Sequence, residues 1–229
     1  MSMQSMPNGL ARWRDRWVEA ALSGDRSGAM AALDAALGEG RDPREVLEAV
    51  IGAGQAEIGR RWARNEATVA QEHMATAIAH VGLTRIHASA RGPHPGVGRI
   101  VVACVAGEQH GFPALLLADR LDLEGLDVRY AGADVPLGCL GALVADLDPD
   151  VVALSVTLGT NLPALDEAVA VVRRNAPRAS IFAGGAGCPA ARARALGVSP
   201  GADTVPETVA LLSQAARLGA ARSQPREGA

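Results

Sequence analysis

Lysine is absent from this chain, so its 22 basic residues are all arginine, and the net charge is only −3. No arginine cluster forms a patch, and nothing supplies the positive footprint that nucleic acid requires. Aromatics are also scarce, at 3% of the residues, which removes the stacking platforms used to hold single strands. The three cysteines, Cys104, Cys139 and Cys188, are far apart and form no C-x-x-C pair. That excludes a disulfide scaffold and reads as reduced cytosolic thiols. No run approaches the roughly 18 apolar residues of a membrane helix. The N-terminal Met1-Ser2-Met3-Gln4-Ser5-Met6 has neither a basic nor an apolar leader segment. A soluble, cytoplasmic protein with no membrane partner is expected. No nucleophile–base pair or hydrolase motif is found, so no catalytic residue is assigned and the chain is not read as an enzyme.

What the chain does have is Ala, Gly, Val and Leu, and 48% hydrophobic residues, enough to bury a proper core over 229 residues. Residues 9–90 carry helical signals only. A first helix is expected over Leu10–Leu22, with Trp13 and Trp17 one turn apart. Asp25 caps a second helix that Gly38-Glu39-Gly40 ends. Asp42-Pro43 opens a third, with Val46, Leu47, Val50, Ile51 and Ile58 at helical spacing up to Trp62. A fourth runs from about Thr68 to Ala88. Short connections predict an antiparallel four-helix bundle. His73, His80 and His87 recur in a stripe that drifts only about 20° per heptad. They are spaced by about 10 Å of helical rise, which lines one side of the bundle and does not make a metal site.

Residues 91–98, Arg91-Gly92-Pro93-His94-Pro95-Gly96-Val97-Gly98, cannot continue a helix and read as a linker. Beyond it the hydrophobic period changes. Strands are expected at 99–105, 127–131, 151–156, 180–183 and about 202–205, with helices at 112–123, 137–147, 161–175, 188–196 and 206–218. This alternation predicts a flavodoxin- or Rossmann-like doubly wound five-stranded parallel sheet over 99–221, in the order 2-1-3-4-5. Residues 222–229 are expected to be a disordered tail. The fold class is thus α followed by α/β.

Open sheets of this kind bind ligands at the carboxyl ends of their strands. Three loops meet there. The first carries Glu108 and His110 ahead of Gly111. A carboxylate that accepts one ring N–H leaves the other nitrogen free for a metal. The second carries Ser155 and Thr157, whose hydroxyls could donate to ring nitrogens or a phosphate. The third carries Gly184 and Gly185, small enough for a large group to lie against the backbone. Taken singly each has a structural explanation: a loop histidine, an N-cap, a turn glycine. Their joint occurrence in this chain order is what points to a site.

That order resembles the cobalamin-binding domain of methionine synthase, methylmalonyl-CoA mutase and their relatives, where the pattern is Asp-x-His-x-x-Gly, then Ser-x-Leu, then Gly-Gly. The resemblance implies His110 as the lower axial ligand of cobalt and a slot beside the sheet for the displaced nucleotide tail. Glu108 stands where the family has Asp, Pro113 where it has Gly, and Thr157 where it has Leu.

In the helical half, Trp62 followed after nine residues by Glu72-His73 resembles the light-sensing module of CarH-type photoreceptors. There a four-helix bundle covers the upper face of adenosylcobalamin, which implies that role for Trp62, Glu72 and His73. Two departures matter. The family's MerR-type helix-turn-helix domain has no counterpart here, so direct DNA binding is not expected. The residue after the motif Trp, often His in that family, is Ala63. Stand-alone relatives, the photocobilins, add a bilin such as biliverdin.

The resemblance thus implies a light-sensing or regulatory protein that binds adenosylcobalamin. It would act as a homo-oligomer or through a protein effector. The alternative is a corrinoid shuttle protein of a cobalamin-dependent methyltransferase system, and a mutase subunit is a third reading weakened by the lack of a substrate barrel.

Overall fold

The structure, a computed structural model, describes residues 9–90 and 96–223. The chain divides into two units, Met1–Gly92 and Pro93–Ala229.

The first unit is helical: α1 (Ala11–Leu22), α2 (Arg26–Gly38), α3 (Pro43–Val46), a π-helical turn (Leu47–Gly52), α4 (Ala53–Ala63) and α5 (Val69–Ser89). Its starts follow from capping chemistry. The Asp25 carboxylate accepts from Gly28 N at 2.9 Å and that of Asp42 from Arg44 N at 2.8 Å. Thr68 and Gln71 form a reciprocal capping box that opens α5. The expected third helix is therefore helical throughout, but with a π turn inside it. The wider turn lets Leu47, Val50 and Ile51 all be fully buried before Gly54 meets the Trp17 ring. Trp17, Leu33, Ile58 and Ile86 complete the core. His73 and His80 are exposed and His87 is half-buried.

The second unit alternates strand and helix: β1 (Arg99–Cys104), α6 (Phe112–Asp122), β2 (Asp127–Gly132), α7 (Leu137–Leu147), β3 (Val151–Ser155), a 3-10 turn (Gly159–Asn161), α8 (Leu162–Asn175), β4 (Ser180–Gly184), α9 (Ala190–Ala195), β5 (Ser199–Pro200) and α10 (Val205–Ser223). The strands are parallel, in the order β2-β1-β3-β4-β5. Helices cover both faces, which is why β1 and β3 are continuously apolar. Val101, Ala103, Val152 and Leu154 pack on Leu140 and Val144 of α7 and Leu165, Val169 and Val172 of α8. Ile100, Val102, Ala153 and Phe182 pack on Ala114, Ala118 and Leu121 of α6 and Val209 and Leu212 of α10.

The last strand differs from expectation. It is the pair Ser199–Pro200, opposite Phe182 and Ala183, not 202–205. The reason is that Thr204 is a helix cap: its Oγ1 accepts from Glu207 N at 3.3 Å and donates to Glu207 Oε2 at 2.8 Å. The final helix runs through Ser223, so residues 222 and 223 are helical and not part of a tail. Residues 224–229 and 91–95 of the expected tail and linker lie outside the described residues. Among the described residues no helix is long and apolar enough to cross a membrane.

Two glycines of α4 separate packing from propensity. A Cβ on Gly54 would lie 2.7 Å from Trp17, whereas one on Gly59 would meet nothing within 4 Å. Gly59→Ala should stabilise by up to about 1 kcal/mol, and Gly54→Ala should destabilise by about 1–2 kcal/mol because overpacking outweighs the same propensity gain. Urea unfolding of the two variants measures both signs.

Candidate functional site

The carboxyl ends of β1, β3 and β4 bring together Glu108, His110, Gly111, Ser155, Thr157, Gly184 and Gly185, all within the second unit. Glu108 is the only buried charged residue among those described, with no exposed surface. Its Oε1 accepts from His110 N at 3.0 Å and pairs with His110 Nδ1 at 2.6 Å. Its Oε2 accepts from Thr157 N at 2.8 Å, Leu158 N at 2.9 Å and Asn161 Nδ2 at 3.0 Å. Burial would push this carboxyl up. The donors from Leu158, His110 and Asn161 outweigh burial and hold it at about 2, below the usual 4.5.

An ionised carboxylate only accepts, so the Nδ1 of His110 carries the hydrogen, and in the neutral imidazole Nε2 is then the nitrogen with the free lone pair. No protein group among the described residues bonds Nε2, and the side chain is 45% exposed.

Asp134 fixes the loop itself. It sits at φ +48°, accepts from Gly107 N at 2.6 Å and Gln109 Nε2 at 2.9 Å, and donates its own N–H to Glu108 O at 2.8 Å. Gly111 starts α6, and its carbonyl accepts from the Tyr130 hydroxyl at 2.8 Å. Burial pushes the Tyr130 hydroxyl up to about 12, so it remains a donor.

Glu108 takes the backbone of Thr157, while Thr157 Oγ1 is buried without a hydrogen-bond partner. Burial raises the Cys104 thiol to about 11, and this thiol donates to His110 O at 3.9 Å.

The glycine loop also has a second role. A Cβ on Gly185, at φ +106°, would lie 2.3 Å from Val156 O, and one on Gly187 would lie 2.6 Å from the Leu158 carbonyl carbon. This loop presses on the segment whose N–H groups hold Glu108. Asn161, Asp134 and Gly187 thus support the Glu108 loop without being among the expected site residues. Their only local signals were a loop Asn, an Asp before Val-Pro and one more glycine.

A cavity of about 510 Å³ opens beside these loops, between the sheet and α6 and α10, with Pro113, Leu117, Ser155 and Gly184 among its walls. Pro113 lies in the first turn of α6.

Trp62, Glu72 and His73 belong to the helical unit and are gathered separately. Trp62, 46% exposed, ends α4. Glu72 and His73 begin α5, where Thr76 Oγ1 accepts from Gln55 Nε2 at 3.0 Å and donates to Glu72 Oε1 at 2.8 Å. The His73 side chain is 74% exposed, with Nε2 3.7 Å from Glu72.

Two family models, each described as a B12 binding domain, match residues 13–86 and residues 98–211. The chain belongs to the B12-binding proteins. Cobalamin is thus its cofactor class, and both units of this B12-binding chain take part in the match.

The HTH-type transcriptional repressor CarH of Myxococcus xanthus is 30% identical over 176 residues, 76% of this chain and 58% of that protein. Dimethylamine corrinoid protein 1 of Methanosarcina acetivorans is 25% identical over 200 residues, 83% of this chain and 91% of that protein. The solved Methanosarcina barkeri monomethylamine corrinoid protein shares the fold, with a TM-score of 0.78 at 14% identity over 89% of this chain and 98% of that one. The chain spans little more than half of CarH and 30% of the related repressor CarA from the same organism. The relatives are described as repressors and corrinoid proteins.

Two measurements probe the carboxylate and its support. A carboxyl depressed to about 2 contributes stability above about pH 4.5 that is lost as pH falls toward about 2. Glu108 should account for roughly 3 kcal/mol of that loss, so the acid limb of the stability–pH curve of Glu108→Gln should be shallower by this amount in denaturant titrations. Gly185→Ala should destabilise by about 2 kcal/mol or more, while Gly184→Ala, whose Cβ meets only Gly201 at 3.7 Å, should cost less than about 1 kcal/mol.

Proposed function

We propose that this chain is an adenosylcobalamin-binding light-sensing regulator. The observation that carries the reading is the Glu108–His110 pair, an imidazole fixed through Nδ1 with Nε2 left without a partner among the described residues. Such a nitrogen suits cobalt, and the carboxylate behind it sets tautomer and basicity. His110 would hold the cobalt from below, with Glu108, Gly111, Ser155, Thr157, Gly184 and Gly185 around it. The residues fit the rest of the cofactor as well. The cavity's volume is in the range of small-molecule sites, and it would take the nucleotide tail.

Trp62, Glu72 and His73 would bear on the upper face. When bound, the cofactor supplies a cobalt–carbon bond that light breaks. The chain's part is to respond through the helical unit, changing its oligomeric state or exposing a surface for a protein effector. Ala63 offers no imidazole to capture the upper face. A bilin such as biliverdin would be a second chromophore. The 30% identity with CarH across both units supports this reading.

A corrinoid shuttle for a methyltransferase system is the second reading. It is favoured by the chain's coverage of 91% of dimethylamine corrinoid protein 1. A shuttle would bind methylcobalamin more tightly than adenosylcobalamin, and a light sensor the reverse.

Illuminating the adenosylcobalamin-loaded protein should change both its absorbance spectrum and its elution volume in size-exclusion chromatography. No change in either rejects light sensing, and a bilin would announce itself in the same spectrum. His110→Ala should weaken cobalamin binding by at least about tenfold and shift the spectrum of whatever remains bound.

A further inference from the structure

The cavity beside the sheet has a chemical bias of its own. Val102, Ala114, Ala153, Phe182 and Leu212 line it, all buried and none with a side-chain hydrogen-bonding group. The strand backbones that carry Val102, Ala153 and Phe182 are paired in the sheet ladder. The Thr204 and Thr208 hydroxyls at the cavity are already engaged. Thr208 Oγ1 accepts from Ala202 N at 3.0 Å and donates to Thr204 O at 2.9 Å. Thr204 Oγ1 donates to Glu207 Oε2 at 2.8 Å. Asp203 also lines the cavity but is exposed, which puts its carboxylate at the mouth.

We infer that this cavity selects B12 forms whose lower base is a benzimidazole and discriminates against those whose lower base is a purine. The inference rests on the proposed reading that the nucleotide tail enters the cavity. A dimethylbenzimidazole presents methyl groups and a hydrocarbon edge to such walls. Adenine presents an exocyclic amine and further ring nitrogens, all hydrogen-bonded in water. Against Val102, Ala153, Phe182 and Leu212 these groups find no partner. A single buried group left unpaired costs about 1.4 kcal/mol, a factor of about ten in affinity.

The full-length apo chain is titrated by equilibrium dialysis with cobalamin, with the adenine-based cobamide and with cobinamide, which lacks the nucleotide. All three carry the same cyano upper ligand. Cobalamin should bind at least about tenfold tighter than the adenine form, with cobinamide weaker than cobalamin. Equal affinity for the two complete cobamides, both tighter than cobinamide, overturns the selectivity while leaving the proposed function standing. Cobinamide binding as tightly as cobalamin also overturns it, because the tail then contributes nothing. Failure of all three to bind overturns both readings. Leu117→Gln places an amide on the cavity wall and should narrow the gap between benzimidazole and purine forms several-fold. An unchanged or wider gap shows that the apolar wall is not its source.

Discussion

A carboxylate with no access to water is the constraint on which this site depends. Burying an ion costs several kcal/mol unless donors replace its hydration. Glu108 meets that demand with five, two from His110 and three from the segment 157–161. Charge-assisted bonds contribute about 1.5–3 kcal/mol each, so the set offsets the desolvation and leaves the carboxyl ionised. The arrangement also dictates geometry. One oxygen faces the histidine and the other faces the loop after β3. The imidazole is thereby referenced to the sheet through a rigid intermediate and not through its own flexible side chain.

The surrounding structure follows from keeping that carboxylate satisfied. The N–H groups of Thr157 and Leu158 must point at Oε2, so the chain turns at once into the 3-10 segment that presents Asn161. The glycine loop lies directly beneath, with Gly187 N bonded to Val156 O at 3.0 Å, and any Cβ at 185 or 187 would push the segment away. Glutamate in place of aspartate is part of the same solution. The extra methylene gives the reach to a neighbouring strand's backbone. The Ser155 and Thr157 hydroxyls are then not needed on Glu108, and Thr157 Oγ1 stays buried without a hydrogen-bond partner among the described residues.

Legibility in the sequence tracked the distance over which each interaction acts. The caps at Asp25, Asp42 and Thr68 act within three residues, and they set the helix starts as read. The alternation of strand and helix announced a parallel sheet, because parallel neighbours need helical crossovers. Glu108 and His110, two residues apart, were readable as a pair. Asp134 and Asn161 were not, since they reach that loop from 27 and 53 residues away. β5 was misplaced for a different reason. Ser199 and Pro200 carry no strand propensity, and they pair only because β4 presents an open edge. The π turn at Leu47–Gly52 buries Leu47, Val50 and Ile51, and no local pattern announces it.

The two units differ in how firmly their candidate residues are held, and that difference bears on how the proposed sensor would work. In the sheet unit the lower imidazole is tied through Glu108 to two loops, and a third clamps its backbone through Asp134. Moving it would break several charge-assisted bonds together. In the helical unit His73 is mostly exposed and Trp62 half-exposed, and among the described residues Glu72 is tied to α4 through the neutral Thr76–Gln55 link. A ligand shifts an equilibrium only by its differential affinity for the states involved. A change at the cofactor's upper face acts first where resistance is least. Under the proposed function the sheet unit is the fixed reference, and the α4–α5 end of the bundle is where the structure yields.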